Sequence, residues 1–540
     1  KIMQYTAINI GPIIATLQMA RKPRELWAAS YLFSHLMKCI YEELEKKGVE
    51  ILSPAKPKPS GGKIGVGLYP DRIYVKGKVT YQDINDSVDA FVSSLQFKIG
   101  KQQKKLDKNY FNVMVVSGEY AKDSDAISEL NQKLDCLELY NRAIDSDVAQ
   151  KVSDLIRLKF KSPLFGMAFT NGKCEVKTLA EYASVQLAAN DTTKAGWEEA
   201  KQQAKVEEMI LEQVPEEFRE YFKDEGDFYK LLKQKIGKKL KSHHKYICIV
   251  QADGDNVGKT VSHPLLENGK VMEISKALLD FGKKAKTKIE DYGGLPIYAG
   301  GDDLLFIAPV VGKTKREDGR WENILDLLEA LNDKSFKGVS EVVKECNLKK
   351  DGNPIKASLS FGVSITYYKY PLYEALESAR SLLFEKAKNV EGKNAIALDW
   401  RKHSGSAFSM SFSKTNPKLA NKFEAIIEQS QVEETLVSAV AHKIRNNEGL
   451  LKLWMGTEES TFTERNKAFF EKYMEYDSDK TDNESLYKRS ALDLLNELYK
   501  TKVNPQMSEE QENESISEII KTMYAMLRVA KFINGEEDKQ

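Results

Sequence analysis

The chain has 540 residues, 41% hydrophobic and 30% charged, with a net charge of +1. That length accommodates several compact units, and the balance excludes a disordered or collagen-like chain. The near-neutral charge leaves any contact with nucleic acid to local patches, and the absence of an apolar run of about 18 residues excludes an expected membrane span.

In chain order, residues 5–10 read as a strand. Gly11-Pro12 then opens a helix that carries Leu17 and Ala20 and, after an interruption at Pro23, an apolar face from Leu26 and Trp27 to Leu44. Lys1 to Gly11 lacks a cleavable signal pattern. A loop follows at 54–62, with Lys56, Lys58 and Lys63 in or beside it. Strands are expected at 64–68 and 73–75, joined by Tyr69-Pro70-Asp71-Arg72, and again at 111–116 and 164–169. Residues 192–240 look helical and heavily charged. The basic stretch from Lys230 to Lys245 reads either as a solvated face or as a surface for RNA or phosphate.

A second α+β unit is expected over 245–400, with strands at 246–250, 295–299, 304–309 and 357–366. Helices are expected at 272–289 and at 374–388, where Leu376, Ala379, Leu383 and Ala387 share a face. Beyond it, His403 to Pro417 is Ser-rich and reads as a loop, as do 475–484 and the acidic 509–514. The remainder reads as a bundle of four or five helices. Five scattered cysteines, with no Cys-x-x-Cys, argue against a disulfide framework or a zinc knuckle and for a reducing cytoplasm.

The chemistry concentrates in Gly300-Gly301-Asp302-Asp303, set between two apolar strands. Glycines permit the turn and leave the backbone open to a triphosphate, while the adjacent carboxylates repel each other unless a divalent cation neutralises them. Asp253, within Ala252-Asp253-Gly254-Asp255-Asn256, directly follows strand 246–250. If that strand lies beside the hairpin, Asp253, Asp302 and Asp303 form an oxygen-rich cage for Mg²⁺ or Mn²⁺. Ser360-Phe361-Gly362 lies in the next strand. Lys388 and Lys393 follow at a helix end, where an ammonium can reach the β and γ phosphates.

The order Asp-x-Asp, Gly-Gly-Asp-Asp, Ser-x-Gly and Ala-Lys-x(3)-Gly-Lys-Asn resembles the palm of GGDEF-type nucleotidyl cyclases. The spellings Asp253-Gly254-Asp255-Asn256-Val257-Gly258-Lys259 and Gly-Gly-Asp-Asp resemble more closely still the large subunit of type III CRISPR effector complexes. Ile10-Gly11-Pro12, Ala20-Arg21, Leu26-Trp27-Ala28-Ala29-Ser30 and Ser34-His35-Leu36 are similar to the first palm of the Cmr (III-B) branch. The resemblance implies an α+β chain with two ferredoxin-like palms, a helical insert and a C-terminal bundle. The corresponding divisions are 1–175, 176–244, 245–400 and 401–540.

It implies catalysis by Asp253, Asp302 and Asp303, with nucleotide contacts from Gly300, Gly301, Asp255, Asn256, Ser360, Lys388 and Lys393. The first palm has Asn9-Ile10-Gly11 and Tyr-Pro-Asp-Arg where the second has its carboxylates, so it would hold an acceptor nucleotide, with Asp71 and Arg72 as candidate contacts. ATP would be the substrate. The product would be a cyclic oligoadenylate, or a conjugate with S-adenosylmethionine as the acceptor. Guide RNA, target RNA and the other Cmr proteins (the guide-end-binding, backbone and small helical subunits) would be its partners. With no His-Asp dipeptide and a palm at the start, no HD nuclease is expected. A stand-alone GGDEF-like cyclase and a non-catalytic scaffold are the alternatives.

Overall fold

The computed structural model describes residues 2–57, 69–95, 97–99, 102–104, 106–139, 146–157, 176–213, 227–430, 432–455, 459–502 and 509–535. β1 (Met3–Gly11) alternates side chains between two apolar layers, and both its faces are buried over most of its length. The helices Ile13–Gln18 and Pro23–Lys46 follow. Pro23 stands in the first turn of the longer helix, where its missing N–H has no intrahelical partner to lose. β2 (Glu50–Ser53) and β3 (Arg72–Lys76) come next, then a helix Tyr81–Ser94 opened by a reciprocal Thr80–Asp83 cap. A small hairpin of β4 (Phe97–Ile99) and β5 (Gln102–Lys104) precedes β6 (Asn112–Tyr120) and the helix Asp123–Glu138. The sheet order is β2-β3-β1-β6 with antiparallel neighbours throughout, the order of a βαββαβ ferredoxin-like unit.

Helices Ser146–Arg157, Leu179–Ala183, Val185–Ala189, Lys194–Gln213 and Phe228–Ile236 lead to the second unit. It begins with β7 (Tyr246–Asp255), a short helix Val257–Val261 and the helix Lys270–Tyr292. β8 (Leu295–Gly300) and β9 (Asp303–Pro309) form the acidic hairpin, and β10 (Val311–Lys315) with β11 (Trp321–Asn323) forms a second one. Helices Ile324–Ala330 and Lys337–Glu345, then a minimal hairpin of β12 (Lys349–Lys350) and β13 (Asn353–Pro354), lead to β14 (Ser358–Tyr367). The helix Leu372–Ser381 widens to a π turn at Leu382–Lys386 and tightens to a 3₁₀ turn at Ala387–Asn389 before β15 (Ala395–Arg401) and β16 (Ala407–Ser413). Within the order β16-β15-β14-β7-β9-β8, the last four strands repeat the topology of the first unit.

The two palms are packed against each other. Leu26 and Trp27 bury against Ile249, Ile297 and Leu305 of the second sheet, and Ser30 Oγ donates to the Ile297 carbonyl at 2.7 Å. The six C-terminal helices, Pro417–Gln429, Glu434–Asn446, Glu448–Met455, Glu459–Met474, Asn483–Lys502 and Glu509–Asn534, join the second sheet through Phe532. Its ring stacks on Trp400 at 4.0 Å.

Several sequence expectations are corrected. The stretch 407–413 is a strand, because Phe408, Met410 and Phe412 alternate with serines and bury one face on the bundle. The acidic 509–514 is the first turn of the last helix, and the bundle has six helices among the described residues. β3 pairs with β1 on one side and with β2 on the other, the latter in a stretch not expected to be extended. The expected strands 64–68 and 164–169, and Lys58 and Lys63, lie outside the described residues. No helix among the described residues is long and apolar enough to cross a membrane.

Candidate active site

The acidic tip follows from strand register. Gly300 pairs with Asp303, so Gly301 and Asp302 form a two-residue turn, with Gly301 at φ 65° where a side chain would be strained. Ala252 pairs with Leu304 in the neighbouring strand, so Asp253 comes opposite Asp303. Carboxylate oxygens of Asp253, Asp302 and Asp303 all lie within 4.8 Å of one another. Asp302 packs directly over Gly254, where a Cβ would fall 2.6 Å from the Asp302 side chain, so only glycine fits beneath the tip.

Such crowding disfavours ionisation. Burial, then the Asp253 charge, pushes Asp302 up to about 7. Burial followed by Asp253 and Asp302 holds Asp303 well above the ordinary carboxylate range. An oxygen-only donor set of three clustered carboxylates suits a hard divalent cation such as Mg²⁺ or Mn²⁺.

The other expected site residues separate into two groups. Asp255 is fully buried. It accepts from Ser358 Oγ at 2.7 Å, Ser360 Oγ at 2.8 Å, Lys388 Nζ at 2.8 Å and the Asn394 N–H at 2.9 Å. Asp255 and Ser360 thus share a buried network that fixes the end of β7. Lys388 joins the same network. Its ammonium pairs with the carboxylates of Asp253 and Asp255 and donates to the Asp253 and Gly254 carbonyls at 2.9 and 3.1 Å. Burial opposes its charge, but Asp253 and Asp255 outweigh that and raise its pKa. Asn256 donates to the Lys356 carbonyl at 2.9 Å. Gly300 is buried, whereas the space beside Gly301 is open. Lys393 lies in a left-handed turn with Asn394, whose N–H reaches Asp255.

The first palm supplies a second wall. Asn9 pairs with Arg72 in the register where Asp253 meets Asp303, and Asp71 directly precedes β3 as Asp302 directly precedes β9. Arg72 opens β3. Its guanidinium is spent on Asn131 at 2.9 Å, Asp135 at 2.8 Å and Glu138 at 2.7 Å, all on one helix. Asp71 does face the second palm. It lines a cavity of about 250 Å³ with Tyr69, Gln251, Tyr298, Asp303 and Arg380. Burial raises the Asp71 pKa against the pull of Arg72.

Sequence reasoning missed Gln251, Tyr298 and Arg380. The one available signal was Gln251, a lone polar residue in the apolar run Ile247–Ala252. It also missed Lys414, whose buried ammonium lies 4.8 Å from the Phe361 ring centroid and is lowered to about 8 by burial. Of the basic surfaces, Lys56 pairs with Glu45 at 2.9 Å and Lys235 with Glu199 at 2.9 Å, so part of that charge serves the fold.

The doubled sheet order and the acidic tip of the second unit define a two-palm protein. Residues 246–397 match the family description "Cas10/Cmr2, second palm domain", and residues 5–58 match "CRISPR-associated protein Cmr2, N-terminal". One stretch in each palm thus matches a model of the Cas10/Cmr2 family. It is 32% identical over 215 residues to the CRISPR system Cmr subunit Cmr2 of Pyrococcus furiosus, a match covering 35% of this chain and 22% of that protein. The chain thus aligns with about a fifth of the length of that curated relative. Among solved structures it resembles a chain of the type III-B Cmr-beta complex in the apo state, with a TM-score of 0.53 and 12% identity over 90% of this chain and 79% of that one. Against a chain of the Cmr-beta complex bound to cognate target RNA the TM-score is 0.48 and the identity 11%, over 89% and 80% of the two chains.

Proposed function

We propose that this chain is the metal-dependent nucleotidyltransferase of a type III-B ribonucleoprotein, making a nucleotide second messenger from ATP when target RNA is bound. The observation that carries this reading is the meeting of Asp253, Asp302 and Asp303 within 4.8 Å at a palm-hairpin tip, beside a cavity shared with the other palm. These three carboxylates would hold Mg²⁺ or Mn²⁺, which when bound neutralises the acidic tip and the phosphates.

The chain's own groups do the rest. The open side of Gly301 lets the donor's phosphates approach the backbone, and Lys393 would supply them a positive charge. Asp255, held by Ser360 and Lys388, fixes the end of β7 so that Asp253 keeps its place. The inter-palm cavity orients an acceptor with its hydroxyl toward the donor's α phosphorus. Bond formation there expels pyrophosphate, and the hydroxyl proton passes to solvent. Ile10, Ile13, Leu17 and Phe33 give that cavity an apolar wall on the side of the first palm.

ATP as acceptor gives 3′–5′ oligoadenylates, linear or cyclic. S-adenosylmethionine is a second candidate acceptor, favoured by the Asp71 carboxylate in the cavity, a suitable partner for a sulfonium or an amino group. The partners in this reading are guide RNA, target RNA and the other Cmr subunits, and the division into 1–175, 176–244, 245–400 and 401–540 belongs to the same proposal. The test is mass analysis of products from the assembled, target-bound complex given ATP and Mg²⁺, with and without S-adenosylmethionine. An adenylate-containing product is expected. A complex inert under both conditions contradicts the assignment.

A further inference from the structure

The six-stranded sheet of the second palm ends on two unlike edges. β8 carries Pro296 and a register break before Tyr298, and Ser30 of the first palm donates to its Ile297 carbonyl, so that edge is blunted and covered. β16, at the other edge, runs from Ala407 to Ser413 with no proline, no charged residue and no break in register. The Lys414 N–H donates to the Asn394 carbonyl at 2.7 Å and the Lys402 N–H to the Ser406 carbonyl at 2.8 Å, one at each end of the β15–β16 ladder. Bonded pairs alternate in an antiparallel ladder, so Phe412, Met410 and Phe408 spend their backbone groups on β15. The N–H and C=O groups of Ser409 and Ser411 therefore face away from β15, and among the described residues they have no partner.

This edge lines a cavity of about 800 Å³, a volume typical of ligand sites. Successive side chains of a strand face opposite sides, so the cavity has two unlike walls. On the serine side stands the turn 385–392, where Lys386 Nζ donates to Ser409 Oγ at 3.0 Å. On the other side lie Met410, Phe412 and the last helix, whose Tyr524 ring is 5.8 Å from that of Phe408. Free backbone groups that recur at every second residue are matched by another extended chain, whose own groups recur at the same spacing. Glu385 and Glu391 are exposed on the serine-side wall against the one ammonium of Lys386, so that wall is acidic and favours basic side chains.

We propose that the outer edge of β16 docks an extended segment of a partner protein, which adds a strand to the sheet of the second palm. Its apolar residues face Met410 and Phe412, and they alternate with basic or hydroxyl-bearing residues that face Glu385 and Glu391. This docking site is separate from the acidic hairpin and does not depend on the nucleotidyltransferase reading.

The test is fluorescence polarisation of the 540-residue chain with a labelled, acetylated and amidated heptapeptide probe, Val-Lys-Val-Thr-Val-Lys-Val. The probe is expected to bind. N-methylation of one alternate set of its amides weakens binding about tenfold, through loss of the hydrogen bonds to Ser409 and Ser411, while methylation of the other set does not. Ser411→Pro deletes one outward N–H, leaves the ladder to β15 intact and weakens the probe about tenfold as well. If Ser411→Pro fails to fold, the two methylated peptides still discriminate on the parent chain. A parent chain that binds no peptide at millimolar concentration, or that binds both methylated forms alike, overturns the proposal. Dimers of the chain that Ser411→Pro dissolves would also overturn it, because the occupant would then be a second copy.

Discussion

Replacing Asp302 and Asp303 together by asparagine lowers product formation on the order of a thousandfold or more, because the neutral amides cannot hold a divalent cation beneath the phosphates. The same double variant unfolds at a higher temperature than the parent when both are freed of divalent ions by EDTA at pH 8. The parent's Asp302 is pushed up to about 7 by burial and by Asp253, and Asp303 is also raised. A carboxyl whose folded pKa exceeds its unfolded value binds more protons when folded, so stability falls as pH rises from the unfolded value of about 3.9 toward the folded one. The stability gap between variant and parent is therefore small near pH 4 and largest above pH 7. Thermal unfolding across that range, alongside product assays of the assembled complex, measures both effects. An active double variant, or one less stable than the parent at pH 8 without metal, contradicts this picture.

Gly362→Ala is expected to cost about 3 kcal/mol or more of stability, at the high end of single-residue effects. A Cβ at this position would lie 2.1 Å from the Ala379 carbonyl oxygen and 2.5 Å from the Leu383 nitrogen. Both obstacles are backbone, so no rotamer change relieves them, and the helix Leu372–Ser381 with its π turn has to lift off β14. That segment carries Arg380 on the cavity wall and leads directly to Lys388, which holds Asp253 and Asp255. The variant thus loses metal-dependent activity along with a drop of roughly 6–12 °C in the melting of the palm. A melting curve that matches the parent's would show that the helix can move off the strand freely.

Much of the second palm was legible in the sequence because its strands are short apolar runs bounded by glycines. Leu295–Ala299 and Leu304–Pro309 around Gly300-Gly301 leave little choice but a hairpin with Asp302 and Asp303 at its tip. Long-range pairing was not legible. Arg72 looks available to a ligand until a helix some 60 residues downstream presents Asn131, Asp135 and Glu138 to it. Lys388 reads as a phosphate-facing helix end because periodicity does not reveal that the helix widens and then tightens just before it, turning the side chain beneath β7. β16 was hidden by composition. Phe408, Met410 and Phe412 have the period of a strand, but the serines between them read as a loop.

In the proposed reaction Asp253, Asp302 and Asp303 grip divalent cations under a bound triphosphate. Mn²⁺ titration of the 540-residue chain followed by electron paramagnetic resonance, with and without an unreactive ATP analogue, tests this grip. Binding of one or two Mn²⁺ ions that tightens with the nucleotide, and is lost in Asp302→Asn/Asp303→Asn, is the predicted result. Mn²⁺ binding that is absent, or that persists unchanged in the double variant, contradicts it.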